Sequence, residues 1–315
     1  MKFERYTECE RFMNDTLDIL REHESQNVHV IGTLDFESTE LRHNVIEKLI
    51  ASGMDKDNEL IVKLDELIWN NPDGLLATVK DSGGSVLLTA HCPFPYDKMT
   101  LFATRNKADF AAVKCFADEL KSISYKPQLI RAERSLAESF AKAYEGEFTT
   151  IASLYAMQLD KVIEPPKISG FCRPLEEKDL HFAPFWKAEC LKECNQKPLS
   201  LRLLYHAYSQ DINENKRYLW EDAIPVSQAN IADETENSVA ISDVYTPPFY
   251  RKKGYATALV AELSRIILER GKRFCVLFAD SNNATSCEIY RKVGYYDLCV
   301  IDEIIQTEPN KRSPQ

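Results

Sequence analysis

Apolar residues recur along this chain at two spacings, and the alternation between them predicts a mixed α/β protein. Helical spacing marks residues 10–24, with Phe12, Leu17 and Leu20 on one face, and residues 38–50, 108–120 and 129–144. Period-two or short apolar runs predict strands at 27–34, 75–79, 85–90, 99–103 and 151–162. Asp81-Ser-Gly-Gly84 between two of these runs is a hairpin signal. Glu164-Pro-Pro-Lys-Ile-Ser-Gly170 then breaks the pattern, because proline and the residue before it resist helix and a glycine permits a sharp bend. That bend is the expected boundary, giving domains at 1–163 and 168–315.

Beyond it the rhythm resumes with a strand at Phe171, helices over 180–194 and 200–209, and strands at 217–223, 225–232 and 238–245. Ala256, Leu259, Val260, Leu263, Ile266 and Ile267 form one helix face, closed by Gly271. The apolar run 274–279 reads as a buried strand. Asp280-Ser-Asn-Asn283 caps a helix over 284–293, which ends at Gly294, and 295–305 is a last strand. Leu76–Ala90 and Leu219–Ala229 each read as a hairpin followed by a strand and a long helix, so the halves are expected to share one plan.

With 315 residues, 44% of them hydrophobic and 28% charged, the chain has the size and composition of two globular domains. A net charge of −10 argues against general nucleic-acid or acidic-membrane binding. The first ten residues lack the apolar segment of a signal peptide, and no apolar run approaches membrane-spanning length. Nine cysteines, mostly in apolar or helical contexts, fit reduced thiols, and the expected compartment is the cytoplasm. Cys190 and Cys194 lie four apart, but no second Cys or His pair lies nearby, so no metal site is expected.

Against the acidic background, Arg251-Lys252-Lys253 is a positive island leading into Gly254, Tyr255, Ala256 and Thr257 at the start of a helix. Bare N–H groups and the helix dipole favour an anion there, and small residues let a phosphate approach the main chain. The same residues also fit a basic, solvated first turn with an incidental glycine. The loop contains neither G-x-x-x-x-G-K-[ST] nor G-x-G-x-x-G, which argues against a nucleotide-binding enzyme of either kind.

Arg251-x-x-Gly254-x-Ala256 resembles the acetyl-CoA signature of the GNAT N-acetyltransferase superfamily, Q/R-x-x-G-x-G/A. Asn283-x-x-Ser286-x-x-x-Tyr290-x-x-x-Gly294-Tyr295 resembles that family's second motif, in the expected order and spacing. The resemblance covers roughly residues 168–305 well and the first half only in outline. It implies two GNAT-like domains, each a central, mostly antiparallel sheet flanked by helices. The first is a degenerate copy, since its matching segment, Thr104–Ala112, has no glycine.

For function, the resemblance implies an acyltransferase that moves an acetyl group from acetyl-CoA to an amine by direct attack in a ternary complex. The backbone of Val244, Tyr245 and Thr246 would pair with pantetheine amides. The N–H groups of Lys252 through Thr257 would hold the pyrophosphate, supplemented by the side chains of Arg251, Lys252 and Lys253. Asn283 and Ser286 would reach the cofactor, although Asn283 also fits a helix cap and Ser286 a small packing residue. Tyr290 is the candidate general acid, with a core aromatic as its other reading. Asp243 is a candidate base, as are Asp233, Glu234 and Glu236. A bulge expected near Asp243 leaves its face unassigned. Cys287 is expected to be packed, because a thiol nucleophile would want a partner base and no histidine follows His206.

The expected partner is a small-molecule or peptide amine, which several converging aromatics among Phe182, Phe185, Trp186, Tyr205 and Trp220 would make partly apolar. No nucleic acid or membrane is expected, and the chain would act as monomer or homodimer. The alternative is a non-catalytic acyl-CoA sensor or partner-docking module.

Overall fold

The structure, a computed structural model, describes residues 1–37, 74–92, 98–105, 108–194, 196 and 198–307. The helix expected over 38–50 and the tail from 308 lie outside the described residues. The chain divides into two compact units, Met1–Leu154 with Cys299–Gln315, and Tyr155–Leu298.

In the first unit, β1 (Lys2–Tyr6), β2 (Leu75–Lys80), β3 (Val86–Cys92) and β4 (Lys98–Ala103) pair antiparallel in sequence order. The β2–β3 turn is the expected hairpin. Asp81 Oδ1 accepts from the N–H groups of Gly83 and Ser85 at 2.9 and 3.0 Å. Helix α1 (Cys9–Glu22) meets the pattern, burying Phe12, Thr16 and Leu20.

Residues 24–37 differ from expectation: they form helix α2 (Glu24–Glu37), not a strand. Val28 and Val30 imitate a period of two, but Asn27, Ile31 and Leu34 are buried as well, so the segment is packed on most of its surface and a helix satisfies its backbone. Helix α3 (Phe110–Ser122) follows β4. Residues 129–144 also differ, splitting into β5 (Leu129–Glu133) and α4 (Arg134–Tyr144). Ile130 and Ala132 point into the core with a period of two, and Glu133 then caps α4. Strand β5 pairs parallel with β4 on one side and antiparallel with Ile301–Ile304 on the other.

The second unit repeats this order. Strand β6 (Phe148–Leu159) leads into it, and β7 (Phe171–Pro174), β8 (Arg217–Asp222), β9 (Ile224–Glu234) and β10 (Ser238–Tyr245) pair antiparallel. Between β7 and β8 lie helices α5 (Ala183–Glu193) and α6 (Leu201–Asn213). Helix α7 (Tyr255–Glu269) carries the chain to β11 (Phe274–Asp280), which is parallel to β10. Helix α8 (Ala284–Val293) and β12 (Tyr296–Gln306) complete the chain.

Leu259, Val260, Leu263 and Ile267 of α7 are buried against the sheet, each side chain contributing about 1.5–3 kcal/mol. That packing fixes the helix whose first turn bears the basic loop. The aromatics do not converge. Phe182 and Trp186 pack together 4.7 Å apart beside Tyr208, and Trp220 is buried, donating to the Ser169 carbonyl at 3.0 Å. Phe185 and Tyr205 face solvent.

Candidate active site

Strands β10 and β11 part company. Their parallel ladder covers Ser238–Ala240 against Phe274–Val276, yet β10 continues to Tyr245 and β11 to Asp280. On its other side β10 remains paired with β9 through a bulge between Ser242 and Tyr245, where Asp243 takes φ +53°. The β10–β11 pairing thus ends before the Val244–Thr246 segment, whose edge has no partner in β11 and can take an added strand-like ligand. The Ser227 hydroxyl holds this end in place, lying 3.1 Å from the Tyr245 carbonyl and 2.9 Å from Thr246 Oγ1.

The chain then turns through Lys252 at φ +62° and Gly254 at φ +86° into α7. The first bond of the helix runs from the Ala258 N–H to the Gly254 carbonyl at 2.9 Å. No side chain caps this end, and among the described residues the N–H groups of Lys252 through Thr257 have no acceptor. Successive N–H groups curled in this way form an anion-binding concavity. A Cβ at Gly254 would meet only Ile168, at 3.5 Å, so the glycine serves the left-handed backbone and the open mouth. By contrast, the first turn of α3 is closed by Asp109, which accepts from the Ala111 N–H at 2.9 Å, and that of α8 by Asn283, which accepts from Ser286 at 3.1 Å.

The basic side chains have distinct settings. Lys252 and Lys253 are exposed. Arg251 donates to the Thr246 carbonyl at 2.8 Å and makes a two-pronged pair with Glu193 at 2.8 and 2.7 Å. Glu193 also accepts from the Tyr245 hydroxyl at 3.3 Å, and burial followed by this carboxylate pushes that phenol up to about 12. Tyr255 donates to Asp222 at 2.5 Å, tying the first turn of α7 to the end of β8.

Asp243 lies in a charged cluster that the sequence did not disclose. Lys187 of α5 donates to it at 2.5 Å and Arg217 at 3.3 Å. Arg217 also holds Asp211 at 2.8 Å and stacks 3.9 Å above the Tyr208 ring. Burial raises the Asp243 carboxyl, but Lys187 and Arg217 outweigh it and hold the group below the usual carboxylate range. Around it, Arg217 Nη1, Gln228 Oε1 and Asn230 Oδ1 are buried polar atoms without a partner among the described residues. The other acidic candidates, Asp233, Glu234 and Glu236, lie at the opposite end of β10. At ~3.3 Å per residue, Glu236 is roughly 20 Å from the bulge.

Tyr290 is half-buried on the inner face of α8, edge-on to Tyr295 at 6.2 Å. Among the described residues its hydroxyl has no hydrogen-bond partner. Burial raises its phenol, and the neighbouring Cys190 thiol adds to the shift, so it keeps its proton at neutral pH. Cys287 is buried, bonded to the Asp280 carbonyl at 3.4 Å and shifted upward by burial, which makes it a packed thiol. Cys190 and Cys194 are both free, and burial pushes Cys190 up to about 12. No cluster of three or more His, Cys, Asp or Glu suited to a metal occurs among the described residues. None of the described helices is long and apolar enough to cross a membrane.

Residues 230–301 match the model of the FR47-like protein family, a span from β9 to β12 that includes the splayed strands, the open helix and Tyr290. Many solved structures match this chain, and three of them illustrate its likeness in fold. A GNAT-family acetyltransferase from Colwellia psychrerythraea is 9% identical, covers 98% of this chain and 100% of its own, and superposes with a TM-score of 0.55. A GCN5-related N-acetyltransferase from Sphaerobacter thermophilus is 14% identical over 83% of this chain and 90% of its own, with a TM-score of 0.54. Another, from Kribbella flavida, is 15% identical over 71% and 88%, with a TM-score of 0.51. The chain has the GNAT fold. At these identities the likeness to the GNAT acetyltransferases is one of architecture, and no curated protein matches the sequence.

Proposed function

We propose that the second unit transfers an acetyl group from acetyl-CoA to an amine in a ternary complex. The observation that carries this reading is an uncapped helix mouth at Gly254 beside a strand edge left open by β10 and β11. Acetyl-CoA, when bound, supplies an activated thioester. The N–H groups of Lys252 through Thr257 hold its pyrophosphate, with Lys252 and Lys253 adding charge. Arg251 contributes by exchanging Glu193 for a phosphate oxygen. Its present pair is exposed on both sides, and such pairs are worth about 0–1 kcal/mol. The main chain of Val244, Tyr245 and Thr246 aligns the pantetheine arm. Asn283 spends its side-chain oxygen on the α8 cap, so its amide N–H₂ and the Ser286 hydroxyl are the groups left for the arm.

Tyr290 gives its phenolic proton to the departing sulfur, for which a protonated, unengaged hydroxyl is the requirement. Asp243 attracts the incoming ammonium and orients the amine. Its low proton affinity makes it a weak final acceptor, so the proton passes on to water. On this reading the first unit is a second GNAT-like copy that makes no use of acetyl-CoA. A non-catalytic acyl-CoA-binding role is the other reading, favoured by the engagement of Asp243 with two cations.

Thiol release from acetyl-CoA across a panel of amines separates the two. Tyr290→Phe is expected to lower kcat by about 10²–10⁴-fold with the acetyl-CoA Kd unchanged. Absence of thiol release with every amine, in protein that binds acetyl-CoA, would favour the binding role.

A further inference from the structure

We infer that Lys187 is itself an acetyl acceptor, modified by its own chain when no free amine is present. The inference rests on the acetyl-transfer reading of the second unit. Helix α5 touches the proposed site at two points. At its end, Glu193 accepts from Arg251 at 2.7 Å and from the Tyr245 hydroxyl at 3.3 Å. Nearly two turns earlier, Lys187 Nζ stands 2.5 Å from Asp243 Oδ1. Asp243 is the carboxylate proposed to attract the incoming ammonium. It directly precedes Val244–Thr246, the edge proposed to align the pantetheine arm. An ammonium of the chain therefore occupies the place assigned to the acceptor's.

The surroundings suit a nucleophile as well as an ion pair. Cys190 follows Lys187 by one turn on the same face of α5. Its thiol lies in the field of Lys187 and Asp243, and Tyr290 lies in that of Cys190, so the amine and the proposed acid flank one thiol. Burial pushes that thiol up to about 12, which makes it a poor competitor for the acetyl group. Lys187 keeps 17% of its side chain exposed, so its nitrogen is not sealed off. Nor does Asp243 depend on Lys187 alone, because Arg217 donates to its other oxygen at 3.3 Å. Lys187 and Arg217 balance Asp211 and Asp243. Acetylation removes one positive charge and leaves the cluster with one net negative charge, a setting that favours the ammonium of a free acceptor.

In the transfer, the Lys187 ammonium first loses a proton to water. The amine nitrogen then attacks the thioester carbonyl carbon, and the C–N bond forms as the C–S bond breaks. The departing thiolate takes the Tyr290 proton, and the second proton lost by the nitrogen restores the phenol. Nucleophile and thioester share one scaffold, so the step is unimolecular in protein.

The test is mass spectrometry with peptide mapping of the full chain incubated with acetyl-CoA and no amine, beside a calorimetric acetyl-CoA Kd. One acetyl group on Lys187 is expected, at a rate independent of protein concentration. It is expected to form at least tenfold faster than on Lys192 of the same helix, whose side chain is 77% exposed. Tyr290→Phe is expected to slow Lys187 acetylation at least tenfold with the Kd unchanged. Unmodified Lys187 in protein that binds acetyl-CoA overturns the inference, and thiol release with an added amine in that same protein leaves the acetyl-transfer reading standing. A rate no faster than that of Lys192, one that rises with protein concentration, or a wild-type rate in Tyr290→Phe also overturns it. Protein that binds no acetyl-CoA overturns both readings.

Discussion

Gly254 and Asp243 carry the two residue-scale arguments. Gly254→Asp would strain a position held at φ +86° and set a carboxylate among the N–H groups proposed to hold phosphate. Acetyl-CoA affinity is expected to fall at least tenfold, since charge-assisted hydrogen bonds are worth about 1.5–3 kcal/mol each. Circular dichroism should show the fold retained, and unchanged affinity in such a folded variant would count against the cradle. Asp243→Asn would leave Lys187 and Arg217 without their shared carboxylate in a mostly buried setting, at a cost of about 3 kcal/mol. The folded-state pKa of Asp243 is lowered, so its stabilisation is complete above the unfolded value of about 4 and is lost as pH falls through the folded value. Urea unfolding from neutral pH to pH 2 should therefore show the two proteins converging only in acid. A gap that stays constant to pH 2 would mean the carboxylate is not held by its cations.

Among the elements, α8 depends on how it ends. Gly294 adopts φ +114°, and a Cβ there would come within 2.8 Å of the Lys161 carbonyl oxygen. Backbone cannot yield as a flexible side chain does, so Gly294→Ala is expected to cost about 2–3 kcal/mol, read as a lower urea midpoint. A midpoint equal to that of wild type would show that the α8 terminus tolerates a side chain. This glycine was legible in the sequence, as were the β2–β3 hairpin, the bulge in β10 and the α7 face, because each signal is local. Residues 27–34 and 129–133 were misread for the complementary reason. Val28 and Val30 alternate only because nearly every side of α2 is covered, and the alternation of Ile130 and Ala132 is too short to stand out from the helix behind it. The true start of α4 was marked by Glu133, an unusual cap.

At the scale of the whole molecule, contiguous chemistry was legible and assembled chemistry was not. The loop proposed to hold acetyl-CoA lies within one stretch, Val244–Thr257, so charge, glycine and helix onset could be read together. Lys187 and Glu193 reach Asp243 and Arg251 across 56 and 58 residues, and no local pattern announces such pairs. Nor does the sequence mark where the chain from Cys299 rejoins the first unit. Each unit has an antiparallel set of strands, a parallel pair bridged by a helix and a further helix, yet their helix mouths differ. Asp109 closes α3, whereas α7 stands open. The central claim is that this difference assigns acetyl-CoA to the second unit alone, and calorimetric stoichiometry of acetyl-CoA on the intact chain tests it most directly. The expected result is one equivalent per chain, abolished by Gly254→Asp. Two equivalents, or one that survives in the folded variant, would contradict it.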